Sequence, residues 1–351
     1  MSILLLWALS AAPLEVRVLE REVPVRVHLV AARITCDGKP LPGTIDAEAS
    51  VREVRVGEEK CTQVIAEDDV AVTVKDTRRN YKGQIRVSLQ GGLLRLINAV
   101  DVEAYLPSVV HAEADGAQPT ALEAQAIVSR TFAITAQRRH AAAGYHLCDL
   151  AHCQVYRGSG AASPEAEAAV KKTAGQVLLI GGIVLKPAYF HAACGGHTST
   201  AADVFGEDAS GSAVSDVENG APRCKGPELA WNFEVEKKDL AAALGVAPAG
   251  AAFEPLHRDT AGRILDVRAF GKRFTGQEFL SRMGRGFGWR AVRSLKFSTS
   301  ETDTTLRLEG AGSGHGVGLC QLGARALAVK GVDAKGILLR YFPESQIKPM
   351  P

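Results

Sequence analysis

An α+β fold is predicted by three features of the chain. Residues 16–34, VRVLEREVPVRVHLVAARI, largely alternate apolar and polar side chains, as half-buried strands do. Residues 106–137 carry apolar side chains at helical spacing instead. Beyond residue 176, short strand-like and helix-like stretches interleave. A β-rich N-terminal region therefore precedes a mixed α/β region that bears a carboxylate on a helix.

The 351 residues suffice for two modest domains or one large one with an appendage. A hydrophobic content of 46% supports a sizeable core, and 23% charged residues argue against general disorder. A net charge of +2 and the lack of basic runs longer than a pair such as Arg138-Arg139 exclude a broad nucleic-acid footprint. Residues 1–12 form a candidate export signal. Ile3–Ala12 is apolar but too short to span a bilayer, and Ala8 and Ser10 are spaced for cleavage after Ser10. The signal is atypical, because no positive residue precedes the apolar run.

Residues 13–78 read as a small β-rich domain, with strands around 51–56 and 70–74 and turns at Gly38-Lys39-Pro40 and Pro42-Gly43. Residues 81–100 read as strand, Gly91-Gly92 turn, strand. Leu106, Val109, Val110 and Glu113 then share one helical face, closed by Gly116, and Pro119 starts a second helix running to about Gln137. Leu122, Gln125, Ser129 and Phe132 share a face of that helix. Ser163 caps a third helix, which stops near Gly175. A hairpin follows, with strands 176–180 and 183–190. Residues 207–228 read as a long surface loop. Later come strands at 231–236, 264–270 and 304–309 and helices at 238–244, 275–283 and 320–329, with the ordered core ending near Phe342.

Glu113 ends an apolar stripe, and apolar surroundings raise a carboxyl pKa toward the range that general acids use. The plain alternative is a solvated helix end. His140, His146, Cys148, His152 and Cys153 crowd one short stretch, and thiolates with imidazoles are zinc ligands. A Cys148–Cys153 disulfide fits the same residues. The seven cysteines of an exported protein would pair as 36–61, 148–153 and 194–224, leaving Cys320 alone. The glycines between 310 and 323 follow no G-x-G-x-x-G register and include no G-K-[ST], so nucleotide binding is not supported. They suit close backbone approach, with His315 and Gln321 beside it.

Several longer motifs carry a family resemblance. Tyr105-Leu106, Val109-Val110 and Glu113 are followed by Pro119, Ala121-Leu122, Gln125-Ala126 and Arg130-Thr131. Next come Asp149 and Cys153-Gln154-Val155-Tyr156 with Gly158, then Tyr189–Thr198, then Gly314–Gln321 with Gly323-Ala324. In this order they resemble the stage II sporulation protein D family, the SpoIID/LytB domain of amidase enhancers, over residues 79–345. Ala114, Gln118 and Phe205 depart from the Met, aromatic and Trp usual there.

The resemblance implies a lytic transglycosylase that cuts MurNAc–GlcNAc bonds in peptidoglycan glycan strands stripped of stem peptides. Glu113 would be its single acid and base, with Gln125, Arg130, Tyr156, His191, His315 and Gln321 contacting sugars. It also implies a structural zinc held by two Cys and two His, here Cys148, His152 and Cys153 with His140 or His146 as the fourth ligand, and no cofactor for catalysis. The runner-up is a non-catalytic amidase enhancer that binds wall or a wall hydrolase. An exported, periplasmic or wall-associated location follows from either, in sporulation or in general wall remodelling.

Overall fold

The structure is a computed structural model describing residues 12–207, 212–226 and 229–350; the candidate export signal falls on residues 1–11, outside the described residues. The chain divides into two compact units, Met1–Asp115 with Ala133–Lys171, and Gly116–Phe132 with Lys172–Pro351. Strands and helices both abound, as an α+β fold requires.

In the first unit the alternating pattern gives two sheets. One has seven strands, in the order 147–148, 14–18, 93–100, 84–90, 63–67, 33–36 and 39–41. The other has six, in the order 77–81, 70–74, 26–30, 44–49, 54–56 and 59–61. Every second residue is buried in strands such as 14–18 and 70–74, so each sheet turns one apolar face inward. Cys36 in the first sheet is disulfide-bonded to Cys61 in the second. Strands from both sides of residue 78 share a sheet, so the boundary expected there lies inside it.

Helix α1, Val102–Ala114, begins at Asp101, whose carboxylate accepts the Glu103 N–H. It buries Leu106, Val109 and Val110, from the face read by their spacing, and Tyr105 beside them. Strand 147–148 joins Val16 and Arg17 in parallel at the sheet edge. Just beyond it, the Asp149 carboxylate accepts from Leu19 N–H at 2.9 Å and from Arg79 Nη1 at 2.8 Å. Gly158, at φ +84°, fits where a Cβ would meet the Asn80 carbonyl oxygen at 2.3 Å.

The second unit opens with most of helix α2, Pro119–Thr135. Its residues 121–132 are all buried, so the helix is enclosed on all sides and not on one face alone. Ala124, Ile127 and Val128 pack with Leu178, Leu319 and Ile337 in one core. A second core gathers Trp231, Leu240, Phe253, Phe279 and Leu308 between two three-stranded sheets and their helices.

Three local expectations change. The hairpin strand after Gly181-Gly182 ends at Val184, and Phe190–His191 pairs separately, in parallel with Leu319–Cys320. Pro187, lacking an N–H, interrupts the run between them. The core does not end at Phe342, because strand Gln346–Pro349 pairs with 176–179. Its sequence, QIKP, holds one aliphatic residue and a proline, and gives no alternation to read. Strands 254–258 and 297–301 are mostly exposed and also lack the pattern.

Among charged groups of the first unit, Arg79 and Asp149 are an almost fully buried pair, with side chains 11% and 2% exposed. Asp149→Ala should therefore cost about 3–5 kcal/mol, since it strands a buried guanidinium. Urea unfolding measures this directly; an unchanged midpoint would show that water or another group already satisfies Arg79.

Candidate active site and metal centres

The site in the first unit is built by laying one extended segment along α1. Tyr105 donates from its hydroxyl to Gln154 Oε1 at 3.2 Å. Ser108 Oγ accepts the Arg157 N–H at 3.0 Å, and Glu113 Oε1 accepts the Val155 N–H at 2.8 Å. These contacts fix residues 154–157 against the helix over about two turns. The segment is held from behind by Tyr156, whose hydroxyl donates to Asn98 Oδ1 at 2.9 Å within the sheet. Its ring lies 4.7 Å from that of Tyr105 and 5.9 Å from that of Tyr81. Glu113 is half-buried, at the last turn of α1. Asp115, two residues on, is exposed and pairs with His111 at 3.2 Å.

The same segment begins at a cluster of soft ligands. His140, Cys148, His152 and Cys153 each present a ligand atom, all within 4.8 Å of one another. His140 Nε2 lies 3.3 Å from Cys153 Sγ, and His152 Nδ1 lies 3.8 Å from Cys148 Sγ and 3.6 Å from Cys153 Sγ. Both cysteines are free and buried. The hydrogen bond between them pulls the Cys148 thiol down to about 3, aided by His152, while it pushes Cys153 up. Two sulfurs and two imidazole nitrogens at these separations fit a tetrahedral zinc, whose ligands stand roughly 3.3–3.8 Å apart. His146 points elsewhere: its Nδ1 accepts the Glu15 N–H at 3.1 Å.

In the second unit, Gln125 is buried and donates to Ser129 Oγ at 3.0 Å, while Gln321 Nε2 donates to Gln125 Oε1 at 3.4 Å. Arg130 is buried too, and its Nη1 donates to the Gln176 carbonyl at 3.2 Å. His315 is half-buried, its ring within 5.2 to 5.7 Å of the rings of Phe205, Tyr189 and His191. Phe205 thus contacts His315 from the position where tryptophan was expected. His191 is buried, and burial lowers its pKa well below the usual imidazole range. The alternating glycines serve close approach by protein atoms. A Cβ on Gly316 would strike the Arg263 guanidinium at 2.1 Å, and one on Gly318 the Tyr189 carbonyl at 2.1 Å.

Residues 90–179 match the family model described as SpoIID, stage II sporulation protein. Over these residues the chain is similar to the SpoIID family. The segment contains α1, α2, Glu113, the two-Cys, two-His cluster and the Gln154–Arg157 segment. The family is linked to peptidoglycan processing, which gives the chain a role related to the cell wall. An uncharacterized protein of Brachyspira hyodysenteriae is 29% identical over 268 residues, covering 75% of this chain and 70% of that one.

Within the SpoIID segment, sequence reasoning passed over Ser108, Gln154 and Asp149. Asp149 and Gln154 stand inside the D-x-x-x-C-Q-V-Y motif, so a signal was present. Ser108 gave none, being a small polar residue on a helix. Cys194 and Cys224, expected to form a disulfide, lie side by side but unbonded, and the arrival beside them of Cys320, expected to stand alone, was missed.

Glu113→Gln keeps a carbonyl oxygen for the Val155 N–H. It should fold normally, with unfolding free energy within about 1 kcal/mol of wild type, whereas Glu113→Ala should lose about 1.5–3 kcal/mol. Thermal or urea melts of the two variants separate these outcomes.

Proposed function

We propose that the chain is a peptidoglycan lytic transglycosylase, acting between MurNAc and GlcNAc on glycan strands stripped of stem peptides. The observation that carries this reading is the Glu113 carboxylate, half-buried at the end of α1 and oriented by the Val155 N–H inside the SpoIID segment. A fixed carboxylate of this kind suits one group serving as acid and then as base. Glu113 first protonates the glycosidic oxygen as the bond to C1 breaks. It then takes the proton of the sugar's C6 hydroxyl, whose oxygen closes onto C1 as a 1,6-anhydro ring. No water is consumed, so a second carboxylate to activate it, as ordinary glycosidases use, is not required.

His140, Cys148, His152 and Cys153 hold a zinc ion in this reading. With four protein ligands it would be structural, fixing the turn that leads into residues 154–157. His315 and Gln321, each half-buried, are the proposed sugar contacts of the second unit. Gln125, Arg130 and Tyr156, whose side chains are buried, act in support of the residues they bond. An exported location agrees with the Cys36–Cys61 disulfide, which persists in oxidising compartments.

Mass spectrometry of denuded glycan strands incubated with the purified chain tests the proposal. Wild type should release 1,6-anhydro ends, and Glu113→Gln should be slower by about 10²–10⁴-fold. Failure of wild type on strands with and without stem peptides would overturn it. In that event, stimulation of a cell-wall amidase by the inactive chain would identify an enhancer.

A further inference from the structure

Three thiols outside the SpoIID segment meet in the second unit. Cys194 follows strand 190–191, Cys224 lies in the loop after the 217–222 hairpin, and Cys320 caps helix Gln321–Val329. Each is fully buried. The Cys194 and Cys224 sulfurs lie 3.6 Å apart, and Cys224 also contacts Cys320. A tetrahedral ion with metal–sulfur bonds of about 2.3 Å places its sulfurs about 3.8 Å from one another.

His191 adds a nitrogen. Its ligand atom and those of Cys194 and Cys320 all lie within 4.8 Å of one another, while Cys224 joins the group through the other two sulfurs and stands farther from the histidine. The ring's Nδ1 stands 3.0 Å from the Val317 carbonyl oxygen, which can only accept, so Nδ1 carries the hydrogen. Nε2 is then left with its lone pair, buried and without a partner, in a residue only 4% exposed. A histidine held at one nitrogen by a backbone carbonyl, with the other buried and unpartnered in a group with sulfurs, is arranged as metal-bound histidines usually are.

Backbone N–H groups point at the sulfurs. The Cys194 N–H donates to Cys320 Sγ at 3.3 Å, the Gly196 N–H to Cys194 Sγ at 3.3 Å, and the Gly323 N–H to Cys320 Sγ at 3.4 Å. Buried Arg263 donates to the Cys194 carbonyl at 2.8 Å, and Lys296 to the Gly195 carbonyl at 2.8 Å. Three thiolates with a divalent ion carry one net negative charge, which these cations offset. Asp216 Oδ2 approaches Cys194 Sγ at 3.4 Å but is already engaged by Tyr341, while Oδ1 takes Arg223 and Arg340. Asp216 thus backs the cluster and the histidine completes it.

We propose that Cys194, Cys224, Cys320 and His191 bind a second thiophilic divalent metal ion, of the zinc class, in a closed three-sulfur, one-nitrogen site. A disulfide would account for two of the sulfurs and leave the third, with His191 Nε2, unexplained. Four protein ligands make the site structural. It ties the 192–196 loop, the loop carrying Cys224 and the start of the helix bearing Gln321 to one point.

The test uses the full chain carrying Cys153→Ser, so that the His140 cluster cannot contribute whether or not it binds zinc in the wild type. Elemental analysis of that desalted variant should find about one zinc per chain, which adding Cys320→Ser removes. Cobalt loaded into the Cys153→Ser chain should give thiolate-to-cobalt charge-transfer absorption. Mass mapping should find Cys194, Cys224 and Cys320 protected from alkylation until a chelator is added. The cobalt and mapping arms need no further substitution, so they stand if the Cys320→Ser chain misfolds. A Cys153→Ser chain without metal, or a Cys194–Cys224 disulfide in unreduced peptides, overturns the proposal.

Discussion

The Val155 N–H to Glu113 hydrogen bond depends on a chain of fixed positions that begins in the β-sheet. Asn98 in strand 93–100 uses its amide to donate to the Lys82 and Gln84 carbonyls and its oxygen to receive the Tyr156 hydroxyl. Tyr156 is thereby set, and with it the register of Val155 against α1. Asp149 fixes the same strand-and-turn from the other side by holding Leu19 and Arg79. A carboxylate on the last turn of a helix would otherwise be free to swing into solvent. Here a rigid sheet, through two residues of one motif, determines where its oxygen points.

How much of this was legible depended on whether a residue worked alone or through a pattern. Leu106, Val109 and Val110 announced α1 because helical burial repeats at fixed intervals, and Asp101, Gly116 and Pro119 marked its limits. The two-Cys, two-His cluster could be read because its members fall within fourteen residues of chain. Glu113 stood out as a polar residue at the end of an apolar stripe. By contrast, Gln346–Pro349 takes its strand conformation from its partner, and nothing in four mostly polar residues foretells that. Cys320 illustrates the same limit in the site: expected to stand alone, it meets Cys194 and Cys224 only after three distant loops have folded. The enclosure of α2 was legible in part, since Gln125 and Ser129 between Leu122 and Phe132 read as a packed, hydrogen-bonded wall, whereas nothing in the sequence marked Arg130 as buried.

The cysteines divide by surroundings. Cys36 and Cys61, one in each sheet, are bonded to one another. The other five lie beside imidazoles, backbone N–H groups or further thiols, where a shared thiolate is stabilised. One amino acid thus has a covalent use in the β-rich part and an electrostatic one elsewhere, set by neighbours and not by sequence spacing.

The interleaving of the two units has a consequence for how the chain is made. It passes from one unit to the other after residues 115, 132 and 171, so neither unit is a contiguous stretch. The first sheet receives its edge strand, 147–148, only after part of the second unit's buried helix has already been synthesised. Folding in step with translation, one unit completed before the next emerges, is therefore ruled out by connectivity. Fragments cut at any single point between residues 18 and 171 leave at least one unit missing a buried element. Deletion mapping would then report lost folding where it seeks lost function.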